Sequence, residues 1–138
     1  MLILRPKDVG PLGDHRIGQF VTIELAGTPR LRRCYSLIGH SRDGTLQIAV
    51  KRAAQPRHAA GSWRVDELRV GDEIGVHAPA GAFTSADGAT RALVLVAGGI
   101  GVTPIHAIAG AAATGGLERK IHVYYSHHTR RCRGRVVG

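Results

Sequence analysis

Residues 93–104 of this sequence, L-V-L-V-A-G-G-I-G-V-T-P, restrict the possible fold more than any other stretch. Residues 92–97 are apolar at every position, which is typical of a strand that is covered on both faces. Glycines follow at Gly98, Gly99 and Gly101. Thr103 and Pro104 then supply an N-cap and a proline at the first helical position. The stretch therefore predicts a buried strand that turns directly into a helix.

The helix and the strand after it complete one β-α-β unit. Gly115-Gly116 closes the helix, and apolar side chains recur at helical spacing at Ile105, Ile108, Ala109 and Ala112. Residues 121–126 form the second strand. The helix N-terminus would direct its free N–H groups and its dipole at an anion such as a phosphate. The glycines lack the full G-x-G-x-x-G spacing, however, and a tight strand-to-helix turn without a ligand is the alternative.

The first ninety residues have a different pattern, in which apolar and polar residues alternate. Three segments each place apolar residues on one face: Val21, Ile23 and Leu25, then Leu46, Ile48 and Val50, and then Ile74, Val76 and Ala78. Turn-forming residues separate these segments at 39–44, 71–72 and 79–81. This spacing predicts a small antiparallel β-barrel with one short helix at residues 62–68. The pattern changes after Asp87-Gly88, which predicts two domains, residues 1–88 and 89–138.

Length, charge and cysteine content exclude several classes of protein. The 138 residues suffice for one small domain and part of another. The net charge is +9, but four arginines lie in the last nine residues and the other charges are scattered without interleaved aromatics, so no nucleic-acid binding is expected. No apolar run approaches the ~18 residues of a membrane span, and the N-terminus lacks a signal-peptide core, which predicts a cytoplasmic protein. Cys34 and Cys132 cannot supply the four thiolates of an iron–sulfur cluster.

A second stretch, Arg33-Cys34-Tyr35-Ser36-Leu37, combines an arginine, an aromatic ring and a hydroxyl that can act together on a flat, phosphorylated ligand. In a strand Arg33 and Tyr35 share a face, whereas Ser36 points the other way or lies at a bend. Cys34 faces away from such a ligand, and we expect its side chain to be a small buried filler. An ordinary barrel strand with a half-buried tyrosine is the alternative.

Together these stretches resemble a known family. Its motifs occur in order as Arg33-x-Tyr35-Ser36-Leu37, Ile48-Ala-Val-Lys51, Gly61-Ser62, Gly71-Asp72, Pro79-x-Gly81-x-Phe83 and Gly98-Gly-Ile-Gly-Val-Thr-Pro104. Over residues 17–126 the chain resembles the ferredoxin–NADP reductase-like flavoprotein superfamily, and within it the reductase components of bacterial oxygenases. The resemblance implies a flavin-binding β-barrel followed by the first β-α-β unit of an α/β nucleotide-binding domain, which is incomplete.

The resemblance also implies a function and a set of site residues. The function is that of a flavin-dependent NAD(P)H oxidoreductase, with FAD or alternatively FMN, which passes electrons to an iron–sulfur or oxygenase protein. Tyr35, Ser36 and Thr103 would be catalytic, with Tyr35 against the flavin ring, Ser36 near its N5 atom and Thr103 near both rings. The cofactor-binding residues implied are Arg33, Cys34, Tyr35, Ser36, Ile48, Ala49, Val50, Lys51, Gly61, Ser62, Gly98, Gly99, Ile100, Gly101, Thr103 and Pro104. In this set Arg33, Gly61 and Ser62 would bind the flavin phosphate, and residues 98–104 would face the nicotinamide cofactor.

The sequence departs from the family pattern after Ser126. The residues that follow contain no acid, no amphipathic period and no strand pattern, and we expect a truncated or frame-shifted product with a disordered tail. His127, His128 and Cys132 do not form a metal site, because adjacent histidines diverge on a strand and a fourth ligand is lacking. We also expect one face of residues 92–97 to stay uncovered. An inactive remnant or a non-catalytic flavin-binding module is therefore the alternative to an active reductase.

Overall fold

The computed structural model of the chain describes residues 1–7, 14–25, 31–39, 44–51, 68–84, 92–114 and 120–127. Several predictions lie outside these ranges. They concern Gly61, Ser62, the helix at 62–68, the helix end at Gly115-Gly116 and the tail after residue 127.

Seven strands and one α-helix make up the described part of the chain. In order they are β1 (Leu2–Leu4), β2 (Phe20–Leu25), β3 (Leu31–Ser36), β4 (Leu46–Ile48), β5 (Gly75–Val76), β6 (Ala92–Gly98), α1 (Val102–Thr114) and β7 (Lys120–Ser126). A short 3-10 helix, Gly99–Gly101, joins β6 to α1. This order confirms the predicted change from a β-rich half to a β-α-β unit.

Strands β1 to β5 form the antiparallel half. Strand β2 pairs with β3 on one side and β5 on the other, while β1 pairs with β4. An isolated antiparallel bridge between Leu37 and Ile48 joins the two sheets. The N–H of Ile38 donates to the carbonyl of Gln47 beside that bridge, at 2.9 Å. The predicted small antiparallel barrel is therefore confirmed.

The barrel core follows the predicted alternation. Its buried side chains are Val21, Ile23, Leu37, Leu46 and Ile48, and Leu2, Leu4, Tyr35, Val50, Ile74 and Val76 pack partly buried against them. Alternate residues of a strand share a face, so the period of two fixed which side chains point inward. Ala78 was predicted on the inner face but is exposed, because β5 ends at Val76.

Strands β6 and β7 are parallel and α1 crosses between them, as the β-α-β prediction requires. A second core, separate from that of the barrel, contains Leu95, Ala97, Ile105 and Ile108. The helix covers one face of β6, and the other face carries Val94 and Val96, which are 60% and 71% exposed. Within the described residues, the expectation that β6 is covered on both faces is therefore wrong. The expectation that one face of residues 92–97 stays uncovered is confirmed.

The start of α1 differs from the predicted cap. The helix begins at Val102, so Thr103 and Pro104 lie within its first turn rather than at the N-cap and first position. The N–H of Val102 bonds to the carbonyls of Gly99 and Ile100, because the 3-10 turn continues directly into the helix. Pro104 fits at this place because the N–H groups of a first turn have no partner inside the helix.

Candidate functional site

Arg33 and Tyr35 lie on the same face of β3, as predicted. Their cross-strand partners on β2 are Ile23 and Val21, both buried in the barrel core. Tyr35 is half-buried against that core, whereas the Arg33 side chain is exposed. The strand thus presents an aromatic ring held by the core next to a guanidinium that reaches water.

Two opposing effects act on the Tyr35 hydroxyl. Burial raises the pKa of the Tyr35 hydroxyl above its ordinary value of 10.0, and the positive charge of Arg33 opposes that rise. Arg33 and Tyr35 also share a face of β3, two positions apart, so both side chains can contact one ligand.

Two adjacent arginines differ in their partners. Arg32 Nη2 lies 3.3 Å from Glu24 Oε2, on the cross-strand partner of Arg32. Arg33 donates from Nη1 to the carbonyl of Arg32 at 2.9 Å, and no carboxylate within the described ranges pairs with it. The charge of Arg32 is thus balanced by Glu24, whereas the charge of Arg33 remains available to an anionic ligand.

Cys34 corrects one prediction. Its thiol is free and exposed rather than a small buried filler. Cys34 pairs with Thr22 across β2, on the face opposite to Val21 and Ile23, and its Sγ lies 3.5 Å from Thr22 Oγ1. That face of the sheet meets solvent, since the barrel core lies on the other side. Its assignment among cofactor-binding residues stays a prediction.

The segment Ile48–Lys51 lies beside the end of β3. The bridge between Leu37 and Ile48 joins the two segments, and both Tyr35 and Val50 pack against the barrel core. Ala49 is half-buried and Lys51 is exposed. The structure thus brings together the predicted residues of β3 and those after β4, although the sequence separates them by more than ten positions.

The glycine loop, which contains Gly98, Gly99 and Gly101, has open space around it. An added Cβ at Gly98, Gly99 or Gly101 would meet no atom of the described residues within 4 Å. Only Gly99 has a positive φ, at +52°, so backbone conformation explains one glycine of the three. A tight turn without a ligand does not require glycine at Gly98 or Gly101, whereas close approach of a ligand does.

Ile100 and Thr103 give the loop its shape. Ile100 is 52% exposed beside the glycines, and Thr103 is buried. The Thr103 hydroxyl donates to the carbonyl of Ile100 at 2.8 Å, which closes the turn before α1. Its side chain therefore stabilises the loop, and its predicted place near two cofactor rings remains a prediction.

A connecting segment was missed from the sequence. Residues Ile17–Gln19 contact both halves of the molecule. Ile17 packs against the second core, and the carbonyl of Gln19 accepts the N–H of Leu37 at 2.9 Å. The one signal in the sequence was Gly18, a glycine two positions before β2.

The residues present fit a flavin. A flavin phosphate requires a cation that no carboxylate neutralises, which Arg33 provides among the described residues, and its ring requires a supported aromatic face, which Tyr35 provides. Within the ranges that the structure describes, no group of three or more His, Cys, Asp or Glu side chains could hold a metal ion. The same ranges contain no helix with the length and apolar character that a membrane crossing needs.

Comparisons with known proteins identify related flavoproteins, although no protein-family model matches the chain. The chain is 32% identical over 128 residues to the flavohemoprotein of Burkholderia sp. (strain TH2), covering 92% of this chain and 31% of that protein. The FAD/NAD-binding domain of the Vibrio cholerae O1 biovar El Tor nitric oxide dioxygenase superposes with a TM-score of 0.78 at 28% identity, over 93% of this chain and 56% of the other.

Phthalate dioxygenase reductase is a third similar protein, with a TM-score of 0.69 and 33% identity over 87% of this chain and 36% of that structure. This protein transfers electrons from pyridine nucleotides to a [2Fe-2S] centre. The chain spans about a third of the length of the curated relatives it matches. The described architecture, the Arg33–Tyr35 strand and these similarities agree: the chain belongs to the ferredoxin–NADP reductase-like flavoprotein superfamily.

Proposed function

We propose that the chain is part of a flavin-dependent oxidoreductase that takes electrons from NAD(P)H and passes them to a redox partner. The observation that carries this proposal is the pairing of Arg33 and Tyr35 on one face of β3. Arg33 has no carboxylate partner among the described residues, and Tyr35 is held half-buried by the core. FAD is the cofactor proposed, with FMN as the alternative.

The chain's own residues bind and orient in this proposal. Arg33 holds a phosphate by a charge-assisted contact, and Tyr35 supports one face of the ring. Ser36 is the last residue of β3, next to the Leu37–Ile48 bridge, and its bond to the ring is proposed from the resemblance alone. The bound flavin would supply the redox chemistry, accepting hydride from the nicotinamide.

The glycine loop is proposed to face the nicotinamide cofactor. The open space at Gly98 and Gly101 leaves room for a dinucleotide at the backbone, and the N-terminus of α1 directs its dipole there. Because hydride transfer depends on alignment of two rings, no acid or base needs to be supplied by the chain. Gly61 and Ser62 are proposed to bind the flavin phosphate, and only the resemblance supports their assignment.

The electron acceptor is proposed from the similar proteins. Phthalate dioxygenase reductase delivers electrons to a [2Fe-2S] centre, and its likeness favours an iron–sulfur or oxygenase protein as the partner here. The two cysteines of this sequence cannot provide the four thiolates that such a cluster takes, so the acceptor cluster would lie outside this sequence.

The direct test is flavin binding followed by reduction. The purified chain is incubated with FAD or FMN, desalted, and mixed anaerobically with NADH or NADPH while the flavin absorbance is followed. We expect a yellow protein that is bleached by one of the two nucleotides and that then reduces a dye. A chain that stays colourless after reconstitution would contradict the proposed function.

A second candidate is a flavin-binding module that does not oxidise nicotinamides. The exposed face of β6, with Val94 and Val96, favours it, because parallel sheets are normally covered on both faces. The same experiment separates the two candidates. A yellow protein whose absorbance is unchanged by either nucleotide would establish the module, and a bleached protein would establish the reductase.

A further inference from the structure

Three consecutive residues, Ile17, Gly18 and Gln19, link the two halves of the proposed site. We call this segment the connector. Ile17 packs against the core of the β-α-β unit, and Gln19 makes two hydrogen bonds to described residues of the barrel. Its carbonyl accepts the N–H of Leu37 at 2.9 Å, and its side-chain amide donates to the carbonyl of Gly81 at 3.2 Å.

Gly18 is the tightest point of the connector. It is buried and its φ is +97°, a conformation that disfavours any other residue. An added Cβ would lie 2.1 Å from the carbonyl oxygen of Phe83 and 3.2 Å from Cδ1 of Ile108. The first contact is with rigid backbone, so a single methyl group would force the connector, residue 83 or α1 to move.

Each contact of the connector leads to a different half of the site. Leu37, which bonds to Gln19, follows Tyr35 by two positions on the flavin side. Leu95 and Ala97, which belong to the core that Ile17 packs against, lead directly into Gly98 on the nicotinamide side. Ile108, next to Gly18, is on the helix whose N-terminus follows the glycine loop. The connector therefore fixes one side of the site relative to the other.

We propose that Gly18 is a positioning residue for hydride transfer. Because Gly18 has no side chain, the connector can hold the glycine loop at a fixed place relative to Tyr35. This inference rests on the proposed function. Gly18 touches neither ring and acts through Leu37 on one side and through Ile108 on the other. Because rate depends steeply on the alignment of reacting groups, a small displacement of the loop reduces hydride transfer.

Gly18→Ala tests the proposal, with Gly71→Ala as the matched control. Gly71 has a similar φ of +103°, but an added Cβ there would meet none of the described residues within 4 Å, so alanine introduces the same backbone strain without the steric contact. We expect Gly18→Ala to retain flavin as well as the parent does while its rate of flavin reduction by NADH falls on the order of tenfold or more. Gly71→Ala should reduce flavin at the parental rate.

A second measurement needs no flavin. Spin labels are placed at the exposed positions Ala78 and Ala113 through Ala78→Cys and Ala113→Cys, with both native cysteines replaced by serine. We expect Gly18→Ala to shift or broaden the distance distribution between barrel and helix, and Gly71→Ala to leave it unchanged. If Gly18→Ala does not fold, Ile17→Ala replaces it in this experiment. Ile17→Ala removes the anchor in the second core without introducing a clash, and it should broaden the distance distribution.

The outcomes are distinguishable. A distance distribution and a reduction rate in Gly18→Ala that both equal those of Gly71→Ala would overturn the proposal, as would an unchanged distribution in Ile17→Ala. A parent chain that binds no flavin or is not reduced by NADH would contradict the proposed function instead. In that case the label distances alone would still decide whether Gly18 sets the placement of α1 on the barrel.

Discussion

Arg32 and Arg33 show how neighbouring residues of one type can have different roles. Strand alternation directs them to opposite faces of β3, so that Arg32 meets Glu24 and Arg33 shares the face of Tyr35. An arginine already paired with a carboxylate gains little from binding an anion, because its charge is balanced. The unbalanced charge is therefore the one that should respond to a phosphate ligand.

We expect Arg33→Ala to weaken flavin binding by about 2 kcal/mol, or roughly thirtyfold, which is the usual cost of losing a charged hydrogen-bond donor. The measurement is a titration of the apoprotein with FAD, followed by flavin fluorescence. Arg32→Ala is the control and should change the affinity far less, since Arg32 pairs with Glu24. Equal losses in both variants would mean that Arg33 is not the phosphate ligand.

The titration of Tyr35 tests the geometry of the site without any ligand. Burial raises the pKa of its hydroxyl above 10.0, so the absorbance titration that Tyr35→Phe removes should have its midpoint above that pH. The folded state then holds the proton more tightly than the unfolded chain does. The resulting contribution to stability is complete below pH 10.0 and is lost as the pH rises above it.

Arg33→Ala should raise this midpoint further, because the Arg33 charge favours the ionised phenol. The Arg32→Ala titration serves for comparison and should match that of the parent chain. A midpoint that does not respond to Arg33→Ala would show that the guanidinium is remote from the ring.

At the scale of elements, the glycines of the glycine loop serve two different purposes, which are backbone conformation and space for a ligand. Gly99 is needed for its positive φ, whereas Gly101 has an ordinary backbone and open space around it. Gly101 also precedes α1 directly, where alanine is a better helix former than glycine. If the open space receives a ligand, stability and activity should respond in opposite directions at Gly101.

We therefore expect Gly101→Ala to leave the free energy of unfolding unchanged or to raise it by up to ~1 kcal/mol. The second-order rate of flavin reduction by NADH should fall on the order of tenfold, because the methyl group occupies ligand space. Gly99→Ala is the comparison and should lose roughly 1 kcal/mol of stability through backbone strain. An unchanged reduction rate in Gly101→Ala would favour a turn that binds nothing.

At the scale of the whole molecule, the two halves differ in how completely they are covered. The barrel half surrounds its core, with Val21 and Ile48 fully buried. On the β-α-β unit, by contrast, α1 covers one face of the sheet and the other exposes Val94, Val96 and Tyr124 among the described residues. Parallel sheets persist almost only when both faces are buried, so this half should hold its ligand less firmly.

We expect the 138-residue chain to bind NADH with a dissociation constant weaker than ~10 μM, which corresponds to roughly −7 kcal/mol. Isothermal titration of the flavin-free chain with NADH gives the value without the heat of flavin reduction. Binding tighter than this limit would show that the exposed face does not weaken the nicotinamide side.

Pattern alone was enough for most of the architecture. Period-two alternation identified the faces of β2 and β4, and the apolar run followed by glycines identified β6 and α1, since these patterns express local geometry that every strand and helix obeys. The motif around Arg33 and Tyr35 likewise placed both side chains on one face. Such features depend on residues that are neighbours in the chain or lie one turn apart.

Features that depend on distant residues could not be read from the sequence. The exposure of Cys34 depends on which side of β3 the barrel core occupies. The role of Gly18 depends on the carbonyl of Phe83, more than sixty residues away. Local sequence determined the elements and their faces, and tertiary packing alone decided their contacts, because steric contact and burial depend on distances in space between residues far apart in the chain.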